Sequence, residues 1–167
     1  MTTATDILKA RVLIVDHQPI NVMLLERLLS EVGYTSVTFT IQTTKACWLQ
    51  EADPYDLISL DLKLLGMDGF EVMQGLKAYA RLTTANDWLP VIVLTAEPTH
   101  KLHALQFGAR DFISKPFYFV EVKTCIHNML EVRLLYKIIE ELNALLHQIV
   151  RERNARLILS GDFFFTF

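Results

Sequence analysis

Short apolar runs alternate with stretches of helical periodicity from residue 11 to about residue 130. That alternation marks repeated βα units around a parallel sheet. The first run, Val12-Leu13-Ile14-Val15, is apolar at every position. A half-wet strand would alternate, so this one reads as a central strand covered on both faces, ending at Asp16. Pro19 then stands where a first helical turn tolerates a missing N–H. Apolar residues recur at Ile20, Leu24, Leu25, Leu28 and Leu29, and Gly33 stops the pattern, which together define an amphipathic helix.

Ser36 to Thr40 reads as a short alternating strand, and Thr43 to Gln50 as a helix with Ala46, Cys47 and Trp48 towards the core. Leu57-Ile58-Ser59-Leu60 is a second buried strand, with Asp61 just past it. Leu65-Gly66-Met67-Asp68-Gly69 makes a turn before a helix from Phe70 to about Leu82. Val91-Ile92-Val93-Leu94 repeats the pattern and delivers Thr95. A helix around Thr99 to Phe107 leads to the strand Asp111 to Ser114, which delivers Lys115-Pro116. The class is α/β, a doubly wound parallel sheet of five strands.

In such a sheet ligands bind outside the carboxyl ends of the strands, where strand order reverses. Asp16, Asp61, Thr95 and Lys115 all fall on that edge. Any one of them alone is an ordinary polar loop residue, but four together, each directly after a buried strand, constitute a site. A carboxylate there can attack a phosphoryl group if a cation offsets the repulsion between two anions. Lys115 supplies a compact positive charge, and Thr95 a hydroxyl donor.

Composition narrows the field without changing it. The chain has 167 residues, 51% hydrophobic and 21% charged, which is globular rather than disordered. The formal charge of −3, with no stripe of Lys and Arg along any element, argues against direct nucleic-acid binding. Neither a signal-peptide pattern nor a membrane-length apolar run is present, so the expected location is cytoplasmic, with no membrane partner. Cys47 and Cys125 lie far apart without metal-ligand spacing and read as free thiols.

The segments VLIVD, DLISLDLKLLGMDGFEV, PVIVLTA and GARDFISKPF resemble the receiver domains of two-component response regulators, over about residues 10–130. The resemblance implies a chemotaxis-regulator-like, flavodoxin-like fold with strand order 2-1-3-4-5. It implies that Asp61 accepts a phosphoryl group from a histidine kinase or phosphotransfer protein. Mg2+ would be held by Asp16, Asp61 and the backbone carbonyl of Lys63. Thr95 would shift to bond the phosphoryl group, Lys115 would pair with it, and Phe112 would change its exposure on activation. Phe112 as plain core filler is the competing reading.

The pattern is broken at two places. The family normally places two acids after the first strand, whereas here Asp16 is followed by His17, which makes the acidic pocket degenerate and should weaken Mg2+ binding. Leu65 stands where the family usually has proline. His17 with Asp16 and Asp61 could instead select a softer ion such as Zn2+ or Mn2+, although lost regulation is the commoner meaning of such a set. Lys63 and Glu97, each two residues past a site residue, could pair across the mouth of the site; an exposed lysine with no role is the equal alternative. His100 and His103 read as a solvated helix face.

From Val120 the chain has neither Gly nor Pro until Gly161, far longer than a receiver's last helix needs. Leu135, Ile138, Leu142, Leu145 and Ile149 alternate spacings of three and four, the seam of a two-heptad coiled coil and of a parallel homodimer. A helix folded back on its own domain is the alternative. The expected division is a receiver at 10–130, a dimerisation or signalling helix at 131–160, and a tail at 161–167. The receiver-plus-helix arrangement is similar to the front half of HD-GYP-type regulators. The sequence contains no HD pair, GYP triplet or GGDEF run, so the chain is expected to be a phosphoacceptor and no enzyme, serving an output domain or partner protein.

Two functions remain in contention: a phosphoacceptor that signals through a dimeric helix, and a phosphorylation-independent pseudo-receiver acting as an interaction module. His17 separates them. An aspartate-nucleophile phosphatase would need an acid where Lys63 stands, and a flavin site would need a phosphate-cradling loop where Asp16-His17-Gln18-Pro19 stands.

Overall fold

The computed structural model describes residues 4–63, 69–82, 88–97 and 99–161. Residue contacts divide the chain after Leu134. The first unit opens with a short helix, α1 (Ala4–Leu8), followed by β1 (Arg11–Val15), α2 (Pro19–Val32), β2 (Ser36–Thr40), α3 (Thr44–Ala52) and β3 (Leu57–Asp61). It continues with α4 (Gly69–Leu82), β4 (Val91–Thr95), α5 (His100–Gln106), β5 (Asp111–Ser114) and α6 (Phe119–Ser160), whose first part belongs to this unit. The five strands form one sheet in the order β2-β1-β3-β4-β5, all pairs parallel. Chain order therefore reverses between β1 and β3.

Every residue of β3 and β4 is buried, as are four of the five in β1, which is why these strands are uniformly apolar. Alternate side chains serve opposite faces. Val12, Ile14, Leu57, Ile92 and Leu94 pack with Leu25 and Leu29 of α2 and Val122, Ile126 and Leu130 of α6. Leu13, Val15, Ile58, Leu60 and Val93 pack with Ala46 of α3, Val72, Met73 and Leu76 of α4 and Ala104 of α5. Both faces are thus covered by helices.

Two glycines are required by geometry. Gly33 caps α2 at φ 109°, donating its N–H to the carbonyls of Leu29 and Ser30. Gly69 begins α4 so close to β3 that a Cβ would lie 2.8 Å from the Leu62 Cα.

Several sequence expectations are corrected. The helix α1 is absent from the sequence reading, yet Ile7 is buried against the core, and the Thr35 amide donates to the Leu8 carbonyl. Ile20 and Leu24 face outwards, 69% and 51% exposed, while Val22 joins Leu25, Leu28 and Leu29 inside. Trp48 is 63% exposed rather than turned to the core. Asp61 and Thr95 are the last residues of β3 and β4 rather than the first beyond them. The turn at 65–68, with Leu65, and the tail beyond Gly161 lie outside the described residues.

The second unit begins at Leu135 and is the remainder of α6. Every residue from 141 to 160 is exposed. Of the anticipated seam, Leu135, Leu142, Leu145 and Ile149 are exposed, whereas Ile138 is half-buried. Ile139, Leu146 and Val150 are exposed as well, so the apolar stripe is broader than the five positions read from the sequence. No helix among the described residues is long and apolar enough to cross a membrane.

Candidate functional site

Strand register brings the chemistry together. Val15 is level with Leu60, so Asp16 arrives beside Asp61. Asp61 is level with Leu94 and Thr95 with Ser114, so Thr95 and Lys115 complete the same edge. This is the edge at the switch point between β1 and β3, where an open α/β sheet leaves a crevice.

Both carboxylates are buried, Asp16 at 0% and Asp61 at 1% exposure. The Lys115 ammonium bridges them, with Nζ 3.1 Å from Asp16 Oδ2 and 3.2 Å from Asp61 Oδ2. The other oxygen of Asp16 accepts the Gln18 amide at 2.8 Å, and Asn21 Nδ2 lies 3.1 Å from Asp16 Oδ2. Asp61 Oδ1 accepts the Lys63 amide at 3.2 Å, and His17 Nδ1 lies 3.1 Å from Asp61 Oδ2. Burial pushes the Asp61 carboxyl above its ordinary ionisation range. The Lys115 charge opposes that rise, Asp16 adds to it, and the Lys63 amide and the Lys115 hydrogen bond oppose it further. Two buried acids share the single ammonium of Lys115, so that lysine alone does not offset the acidic charge of the pocket.

Thr95 is buried, and its hydroxyl is engaged locally, donating to the Glu97 carbonyl at 3.3 Å and accepting the Glu97 amide at 3.1 Å. Phe112 is half-buried against the core, with the Lys101 ammonium 4.4 Å from its ring centre. Lys63 and Glu97 do pair, at 3.8 Å, but with side chains 82% and 49% exposed the contact contributes little. His103 is exposed and His100 half-buried; both rings stand edge-on to Phe70, and His103 also to Phe107.

Asn21, Gln18 and Lys101 escaped the sequence reading. Asn21 carries a usable signal, since it lies five residues after Asp16 in the first turn of a helix that starts at Pro19. Lys101 carries none, because an exposed-looking lysine on a helix is the commonest of patterns.

Asp16, His17 and Asp61 each offer a ligand atom, and these atoms lie within 4.8 Å of one another. The two carboxylates fit a divalent cation, which would offset the acidic charge that Lys115 alone does not. The third donor is a ring nitrogen, and it does not fit Mg2+, which keeps oxygen ligands in near-ideal octahedral geometry.

Beside the site a hollow of about 430 Å³ is lined by Gln18, Asn21, Leu24, Ala96, Lys115, Pro116 and Phe117. A second, of about 420 Å³, shares Leu24 and Phe117 and adds Leu28 and Phe119. Ile20, Met23 and Tyr118 are also exposed, while Arg27 and Glu31 line the second hollow beside its apolar residues.

Comparison with known proteins agrees with this geometry. Over 109 residues the chain is 38% identical to the transcriptional regulatory protein TcrA of Mycobacterium tuberculosis, covering 64% of this chain and 40% of that protein. Over 122 residues it is 34% identical to the transcriptional activator protein IrlR of Burkholderia pseudomallei, covering 72% of this chain and 50% of that one. The chain therefore spans about half or less of the length of these curated relatives. Among solved structures, a putative response regulator from Chloroflexus aurantiacus superimposes with a TM-score of 0.66 at 26% identity, covering 74% of this chain and 98% of that one. The receiver domain of a sensor histidine kinase from Pseudomonas aeruginosa, solved with a magnesium ion coordinated in its active-site cleft, gives 0.65 at 26% identity with the same coverage. Residues 12–127 match the response regulator receiver domain family, and the chain belongs to it.

Proposed function

We propose that this chain is a phosphoacceptor switch, and no enzyme in its own right, that takes a phosphoryl group on Asp61 and passes the change to a dimeric C-terminal helix. The observation that carries the proposal is the Lys115 ammonium seated between two buried carboxylates at the switch point of the sheet. An Asp61 oxygen attacks phosphorus of a phosphohistidine on a kinase or phosphotransfer protein. The O–P bond forms, the N–P bond breaks, and its electron pair returns to the departing imidazole. Lys115, already beside Asp61, pairs with the incoming phosphoryl oxygens. Thr95 reaches them once its hydroxyl leaves Glu97, and Phe112 moves with it.

The apolar surface of Ile20, Met23, Leu24 and Phe117 is the docking face for the phosphodonor, because it begins at Lys115 and is otherwise wet. Downstream, α6 starts with Val122, Ile126 and Leu130 in the core and ends with twenty consecutive exposed residues. A helix so bare is marginal alone, and a second copy along Leu135, Leu142, Leu145 and Ile149 covers it. His17 makes Mg2+ binding weaker than in a receiver with a third acid.

A second reading, a pseudo-receiver that never takes phosphate, is favoured by the contact His17 adds to that of Lys115. His17 and Lys115 together occupy Asp61 Oδ2, so the pocket is closed upon itself. Phosphoramidate with both Mg2+ and Mn2+ present, followed by electrophoresis in a phosphate-retarding gel, separates the two. The phosphoacceptor gives a retarded band that Asp61→Asn abolishes. A wild-type chain that is not retarded, under conditions that fully modify an ordinary receiver, assigns it to the second reading.

A further inference from the structure

We infer that the cluster of Asp16, His17 and Asp61 selects a borderline first-row divalent ion, such as Co2+ or Zn2+, over Mg2+. The inference deepens the reading of the Asp61 pocket as a cation site and does not require that phosphorylation occur. The sequence alone weighs this alternative below lost regulation; the geometry reverses the weighting.

Three observations carry it. First, the His17 ring is turned into the pocket, with Nδ1 3.1 Å from Asp61 Oδ2 and 3.9 Å from Asp16 Oδ1, and only 18% of its side chain is exposed. Second, the acids are not the surface carboxylates that cluster without meaning; both are buried, and Lys115 alone does not offset their acidic charge. Third, a donor set of two carboxylates and one imidazole is borderline rather than hard, and affinity for such a set rises from Mn2+ through Co2+ to Cu2+ and falls back at Zn2+.

An entering ion also has to displace the Lys115 ammonium from Asp16 Oδ2 and Asp61 Oδ2, contacts of 3.1 and 3.2 Å. Mg2+ gives up its water reluctantly and gains no preferred atom from His17, so it competes poorly. An ion that accepts nitrogen gains a third bond in the same exchange. Ligation through His17 Nδ1 requires the ring proton on Nε2, in exchange for the present contact of Nδ1 with Asp61 Oδ2.

The test uses the untagged full chain, stripped with a chelator, without any phosphodonor. Co2+ is titrated while visible absorption is followed, and Mg2+ is then added as competitor. The expected result is a Co2+ spectrum with nitrogen coordination that a hundredfold excess of Mg2+, roughly two decades in affinity, does not remove. His17→Asp should invert the order, tightening Mg2+ and weakening Co2+, and His17→Gln should weaken Co2+ by about tenfold or more. Circular dichroism confirms that each variant is folded, and the two substitutions serve as checks on each other. The inference is overturned if Mg2+ displaces Co2+ stoichiometrically, if no Co2+ binds, or if Co2+ affinity is unchanged in both variants, which would place the ion on surface histidines. A chain that binds Co2+ through His17 yet never accepts phosphate would sink the phosphoacceptor reading and leave this one standing.

Discussion

At Asp61 the Lys115 ammonium, the His17 ring and the Lys63 amide all meet a carboxylate that burial and the neighbouring Asp16 hold above its ordinary ionisation range. An acid whose pKa rises on folding penalises the folded state in its charged form. The penalty is absent below the unfolded value, 3.8, and is complete above the raised folded value. Asp61→Asn should therefore match the wild type at low pH and melt a few degrees higher near neutrality, in chelator-treated buffer. Equal or lower melting at neutral pH would mean that the three donors more than offset burial. Burial pushes the Cys125 thiol up far beyond the ordinary range, and the contact with Asp111 pushes it further; burial also raises Cys47. Iodoacetamide near neutral pH is expected to modify neither until the chain is unfolded, since the thiolate is the nucleophile. Rapid labelling of native protein, read by mass, would contradict that. Asp16, Asp61 and Thr95 were legible because each ends or follows a run of buried strand residues, and Lys115 because it follows the short strand β5. Their hydrogen-bond partners were not: Asn21 reaches Asp16 only from the first turn of α2, and Gln18 does so through its backbone amide, which any residue carries.

Among the elements, β1, β3 and β4 were legible since burial on both faces removes every polar position, while α1 was hidden by its brevity, with Ile7 its one buried residue. The outward turn of Ile20 and Leu24 defeated a reading that treats every apolar residue of a helix as inward, and it exposed the surface proposed for docking. Gly69→Ala should destabilise the receiver by about 1–3 kcal/mol, because the new methyl meets the Leu62 backbone rather than a side chain that can yield. Urea unfolding with an unchanged midpoint would show that α4 can shift away from β3. In the C-terminal helix, Leu142→Asp with Leu145→Asp puts four charges into the seam of a dimer. Sedimentation should then show a monomer whose receiver fold persists, and a variant still dimeric at micromolar concentration would move the interface to the receiver itself.

For the whole molecule, register is what turns separate strand ends into one site: Val15 level with Leu60 and Asp61 level with Leu94 leave Asp16, Asp61, Thr95 and Lys115 no other place to meet. The sequence announces such a site through its repeated strand-then-polar-residue pattern, but not the bridging of two acids by Lys115 nor the inward turn of His17. Those follow from packing of elements far apart in the chain. On the proposed function, Asp61 is the residue that takes the phosphoryl group. Borohydride trapping tests it directly, because it reduces an aspartyl phosphate to homoserine and leaves free carboxylates alone. After incubation with phosphoramidate and divalent cation, peptide mass mapping should find homoserine at position 61 and nowhere else. Unmodified aspartate at position 61, or homoserine at another acid such as Asp16, would contradict the account.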